Sequence, residues 1–214
     1  MQLSITLIIV IITCIVSIPA FSNQKIIDDL IFYPPAIKRR KQWYRFFSAG
    51  LIHADWTHLI FNMLSLYMFG RFVEMEFVLI FGSYGKALYL ALYVLALPAS
   101  KIQTYLKYKD DYHFKSLGAS GAVSAVVFAG LLLVPGITVG FYFIPPIIPG
   151  FIYGPLYLLF SIMMDRRGGD NINHSAHIFG AVFGLAFVVI AGRIVADFDA
   201  IGHFIEGVQE YFNR

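Results

Sequence analysis

Ser120 and His177 supply two residue types from which acyl-transfer chemistry is built, and each opens a long apolar stretch. Ser120 lies in Gly118-Ala119-Ser120-Gly121, and His177 begins the run His177-Ile178-Phe179-Gly180-Ala181-Val182-Phe183-Gly184. Polar groups inside membrane-length segments are costly to keep, so function is their default reading. A third set, His58 and Asn62, opens another apolar stretch, and its four-residue spacing puts both on one helical face, about 6 Å apart along the axis. Hydrolysis of an amide by serine needs a nucleophile, a base within hydrogen-bond reach, and donors aimed at the oxyanion. Ser120, His177, and the set of His58, Asn62 and the Ser120 backbone N–H match those parts. Ser120 falls in the first turn of its helix, where unpaired N–H groups and the positive dipole end favour a developing anion. No third orienting residue is evident, so the expectation is a Ser–His dyad. Taken singly, Ser120 also reads as a helix N-cap, and His58 and Asn62 as interhelical hydrogen-bonding residues. Occurring together at matched depth, they favour the joint reading.

The elements that must position these residues are membrane spans. The 214 residues are 58% hydrophobic, 17% aromatic and only 14% charged, where soluble domains run at roughly 25% charged. Mean hydropathy is +0.71. A multi-pass membrane protein is expected, with the lipid bilayer as its surroundings. The formal charge of +3 is spread over several loops and gives no nucleic-acid footprint. The single cysteine, Cys14, rules out an intramolecular disulfide and a cysteine-based metal site.

Six spans are predicted, over residues 3–21, 56–73, 77–98, 119–135, 147–164 and 176–195. The first lacks a basic flank and is read as a retained helix rather than a cleaved signal. Pro145, Pro146, Pro149 and Pro155 crowd the fifth, so its helix is expected to begin late or kink, with residues 140–150 re-entrant or interfacial. The expected organisation is one transmembrane domain, residues 1–195, followed by a short amphipathic tail, 196–214. Within that domain residues 22–55 form a long first loop, where Lys38-Arg39-Arg40-Lys41 stands beside Trp43, Tyr44, Phe46 and Phe47, a mixture suited to the membrane–water interface. Two spans separate each neighbouring pair of motifs, so His58, Ser120 and His177 should enter from the same face. Gly118, Gly121, Gly180 and Gly184 would let the serine and histidine helices approach closely.

These residues together resemble the rhomboid family of intramembrane serine proteases, over about residues 43–192. Gly118-Ala119-Ser120-Gly121 resembles its nucleophile motif, His177 with Gly180 and Gly184 its base-bearing helix, and His58-Leu59-Ile60-Phe61-Asn62 its oxyanion segment. Tyr44-Arg45 resembles a Trp-Arg pair of the first loop, Gly70 and Glu74 a structural pair of the second span, and His53 also matches. The resemblance implies a six-helix, all-α membrane bundle with structural roles for Arg45 and Glu74. It also implies cleavage of the transmembrane segments of other proteins, with no metal or cofactor. Some members carry an aromatic residue four positions after the serine, against the catalytic histidine; here that position is Ser124. His174, one turn before His177, is assigned to the membrane interface.

Other chemistries fit less well. Gly-x-Ser-x-Gly fails at Ala122, and no His-Glu-x-x-His occurs. Arg167-Gly168-Gly169-Asp170 only partly matches the Gly-x-Gly-Asp of intramembrane aspartyl proteases. A catalytically inactive relative that binds transmembrane clients is the alternative; such relatives usually lack the serine or histidine. A transporter, suggested by Lys86 within the third span, lacks the expected repeats. On orientation, twelve Lys/Arg on the motif face against Arg71, Arg193 and Arg214 on the other would put the site toward the cytoplasm. The resemblance puts it toward the outer face of a bacterial plasma membrane, and that orientation is adopted.

Overall fold

Many large apolar side chains of this chain face outward. Helix α1 (Ile5–Ala20) buries Thr6, Ile9, Thr13, Ser17 and Ala20 at three-to-four-residue intervals, while Ile11, Ile12 and Ile15 stay exposed. A small or polar interior beneath a branched apolar exterior is the arrangement of a helix packed in lipid. In this computed structural model the described residues are 4–141, 144–169 and 172–213. The start of the first expected span at Leu3, together with Asp170 and Arg214, lies outside them.

Helices α2 (Gln24–Leu30), α3 (Pro34–Arg40) and α4 (Arg45–Ser48) occupy the first loop, and a 3-10 turn follows at Ala49–Leu51. Next come α5 (Trp56–Phe81), α6 (Gly85–Ala99), α7 (Ile102–Tyr108) and α8 (Ser120–Leu133). A hairpin of β1 (Thr138–Phe141) and β2 (Ile144–Pro149), then α9 (Gly150–Arg167), α10 (His174–Val195) and α11 (Ala200–Phe212), complete the chain. The stretch from Trp56 to Tyr108 and the helix His174–Val195 contain windows long and apolar enough to cross a membrane; α1 and α8 are apolar but shorter.

Helix α8 is the centre. Every residue from Gly121 to Leu133 except Val127 is buried, between α5, α6 and α10. It can be central because Ala122, Ala125, Ala129 and Gly130 leave room for neighbours on all sides.

Three expectations are corrected. The second span does not end near Val73, because α5 continues to Phe81 and turns at Gly82 (φ 56°). The third helix therefore starts at Gly85 rather than at residue 77, and Lys86 sits in its first turn. Glu74 explains the misreading. Its carboxylate is buried within α5, where it accepts from Ser4 Oγ (2.6 Å), Ile5 N (2.8 Å), Thr6 N (3.0 Å) and Thr6 Oγ1 (2.9 Å). It thus caps the start of α1, where the helix dipole favours an anion. The fold is also not purely helical. Strands β1 and β2 pair antiparallel, Val139 with Ile148, and α9 begins only after Pro149, at Gly150. Finally, His174 is buried at the start of α10, with its ring edge-on to His177 (5.9 Å), rather than lying at the surface.

Candidate active site

The segment leading into Ser120 is held from three sides. Phe32 and Ser116 exchange backbone hydrogen bonds (3.0 and 3.1 Å), and Gly118 N donates to Ala49 O (2.8 Å). These tie the first loop to the residues just before α8. The loop has its own core of Phe32, Ile37, Phe46 and Ala49. Arg45 locks it by donating to Gln42 Oε1 (2.6 Å) and to the carbonyls of Asp28 (2.9 Å) and Ile31 (2.7 Å), a cation at the end of α2. Tyr44 Oη donates to Asp29 O (3.1 Å) nearby.

His53 provides the second tie. Ala119 N points at its Nε2 (3.5 Å) and Ser17 Oγ lies 3.2 Å from its Nδ1. An acceptor at Nε2 and a donor at Nδ1 describe a neutral imidazole joining α1 to the residue before Ser120. Burial, with His58 close by, holds its pKa down at about 3. The third tie is Gly118 itself (φ 110°), where a side chain would be strained and a Cβ would sit 2.9 Å from His58 Nε2. The His58 ring therefore lies against the backbone two residues before Ser120.

Helices α8 and α10 meet backbone to backbone. A Cβ on Gly180 would overlap Gly121 O, and one on Gly184 would overlap Ala125 O. Gly121 is pressed from its other side by Ser100, whose Cβ would be 2.6 Å from an added Cβ. The approach brings His177 Nε2 to 2.8 Å from Ser120 Oγ, both residues partly buried. At the start of α8 the first N–H groups have no acceptor within the helix. His58 Nδ1 faces Ala54 N (3.4 Å), an arrangement that puts the ring proton on Nε2, the nitrogen nearer Gly118. Asn62 is buried, and its Nδ2 donates to His58 O (2.9 Å), one turn back on α5.

The structure thus gathers Ser120, His177, His58, Gly118, Gly121, Gly180 and Gly184 at one end of the bundle. Arg45 acts in the first loop, and Glu74 at the far end of α5. Two neighbours escaped sequence reasoning. Lys101, buried between α6 and α7, has its pKa lowered to about 8 by burial; one lysine among several in a basic loop carried no signal. Tyr157 of α9 stands beside His177 (ring centroids 6.4 Å) and was lost among the aromatic residues of its segment.

The rhomboid-domain family profile matches residues 40–194, from the first loop to the end of α10. This chain belongs to the rhomboid family. Among its relatives is a putative rhomboid protease, YdcA, of Bacillus subtilis (strain 168), 30% identical over 70% of this chain and 68% of that protein. The rhomboid protease AarA of Providencia stuartii is 25% identical over 71% of this chain and 58% of its own length. RHOMBOID-like protein 12, mitochondrial, of Arabidopsis thaliana is 27% identical over 63% and 42%, respectively. The chain spans between 42% and 68% of the first four relatives it matches.

Proposed function

We propose that this rhomboid is an active intramembrane serine endopeptidase that cleaves transmembrane segments of other proteins through a Ser120–His177 dyad, with no cofactor. The observation that carries the reading is the 2.8 Å approach of His177 Nε2 to Ser120 Oγ at the start of α8. Ser120 Oγ attacks a substrate carbonyl as His177 takes its proton. The tetrahedral oxyanion is received by the Ser120 N–H, His58 Nε2–H and Asn62 Nδ2. Asn62 reaches it by exchanging its bond to His58 O for the developing charge. His177 then protonates the leaving amine, and water cleaves the acyl-enzyme by the same route in reverse.

The six long helices α1, α5, α6, α8, α9 and α10 would form the membrane bundle, with residues 1–195 acting as one unit and α11 appended. At 14 residues, α8 is about 21 Å long, short of the roughly 30 Å hydrocarbon layer. Its first residue would therefore lie below the membrane face, reached by water from that side. The site is placed toward the outer face of a bacterial plasma membrane. That assignment is supported by Arg45 and Lys101, which are buried rather than presented as free interfacial charge. Reporter fusions in the loop around residues 101–115 test it, and a cytoplasmic signal would reverse it.

The test of activity is cleavage of a transmembrane substrate by purified protein in detergent, beside Ser120→Ala and His177→Ala. Loss of cleavage in both folded variants is expected. Equal cleavage by all three would assign the activity to a contaminant, and none from the wild type would favour a client-binding role.

A further inference from the structure

We propose that Tyr157 is a positioning residue for His177, supplying from α9 the aromatic wall that Ser124 cannot supply from α8; this rests on the protease reading above. The Tyr157 ring lies alongside the imidazole, with centroids 6.4 Å apart and planes 23° from parallel. It is itself held on several sides. Tyr153 stacks on it from the preceding turn (5.9 Å, 30°), Phe128 of α8 tilts against it (5.7 Å, 55°), and its Oη lies 3.3 Å from Ser124 Oγ. Ser161, one turn further along α9, is buried.

Ser124 has two parts in this arrangement. It is buried one turn along α8 from Ser120 and brings no ring of its own. Its hydroxyl also gives the partly buried phenol a partner, which such a group needs. Rotation of the imidazole about χ2 is soft, and a turn of the ring would carry Nε2 away from Ser120 Oγ. Tyr157 on one side and the edge-on ring of His174 (5.9 Å, 75°) on another restrict that rotation. The orientation of the base thereby depends on how α9 is seated, and among described residues α9 buries only Gly150, Gly154 and Ser161.

The experiment compares the full chain with Tyr157→Phe, Tyr157→Ala and the double variant Tyr157→Ala/Ser124→Phe, measuring kcat, KM and Tm on a transmembrane substrate. Tyr157→Ala should lower kcat about tenfold with KM near wild type, because a misplaced base costs turnover rather than binding, while losing some Tm with the ring's packing against Phe128 and Tyr153. Tyr157→Phe keeps the ring and should stay within about threefold of wild type; the double variant, with a ring returned to position 124, should recover most of the loss. A Tyr157→Ala protein with wild-type kcat would overturn the proposal. So would losses of kcat and Tm that move together in Tyr157→Ala and that the double variant does not relieve. If wild type fails to cleave at all, the protease reading falls instead. The ring's placement is then read from the His177 imidazole NMR shifts: a ring-current change in Tyr157→Ala upholds the contact, and unchanged shifts refute it.

Discussion

The two helices that flank α8 on the site side are attached in opposite ways. Helix α10 is drawn so close that Gly180 and Gly184 rest on the backbone of α8 at Gly121 and Ala125. Helix α9 touches α8 through side chains, the rings of Tyr157 and Phe128 and one hydroxyl pair. The first contact cannot slide or widen without losing van der Waals contact along the whole seam, since close-packed backbone has no rotamers to adjust. The second can re-form around altered rotamers. The nucleophile and the base of the proposed dyad sit on the two helices of the rigid seam, whereas the helix that steadies the base belongs to the adaptable one. Accuracy of the 2.8 Å pair is thus a property of backbone packing, and its angular tuning a property of side chains.

Matched glycine substitutions break this comparison most directly. Gly180→Ala puts a methyl group into Gly121 O, so α10 must move away from α8. The expected result is loss of cleavage with a fall in Tm, the overpacking costing about 1–3 kcal/mol or more. At Gly154 on α9, a Cβ would meet Leu131 Cδ1 and Phe128 Cε1 at 3.5 Å, ordinary contact. Gly154→Ala should fold and cleave like wild type, with Tm unchanged or raised, since alanine is favoured over glycine in a helix by about 1 kcal/mol. Equal sensitivity at the two positions would erase the distinction.

The next effect lies on the rigid side. Asn62→Ala and His58→Ala each remove a side-chain donor from the proposed oxyanion site. Each should lower kcat by about 10²–10³, with substrate binding retained. A kcat within threefold of wild type for Asn62→Ala would leave its amide as a helix-internal bond to His58 O and nothing more.

Much of this was legible beforehand, for physical reasons. The starts of α5, α8 and α10 fall within two residues of the predicted spans, because each is a polar residue followed by an apolar run. Spacing alone put His58 and Asn62 on one face, and counting spans alone put three motifs at one end. What was hidden depends on distant partners. Glu74 reads as the polar end of a span until Ser4 and Thr6 arrive to satisfy it. Ser124 reads as a missing ring until α9 folds back and offers Tyr157. No local pattern encodes either, since the partner lies 70 residues away in one case and 33 in the other. The hairpin was obscured because its prolines mark interrupted helix as well as they mark turns.

His53 makes the smallest and most specific prediction, because it belongs to the rigid side yet acts through one proton. Its imidazole is buried and neutral, with a folded pKa of about 3, against about 6.5 when unfolded. Between those values the unfolded chain binds the extra proton, so stability falls as the pH drops below 6.5 and the fall continues toward 3. The slope contributed is at most about 1.4 kcal/mol per pH unit. Denaturation midpoints of wild type measured from pH 7.5 to 5 should therefore decline. Those of His53→Gln should start lower, having lost the tie between Ser17 and Ala119, but decline less steeply. Parallel slopes would mean that His53 is not the group that senses the acid, and that the link from α1 to the segment before Ser120 is carried by packing instead.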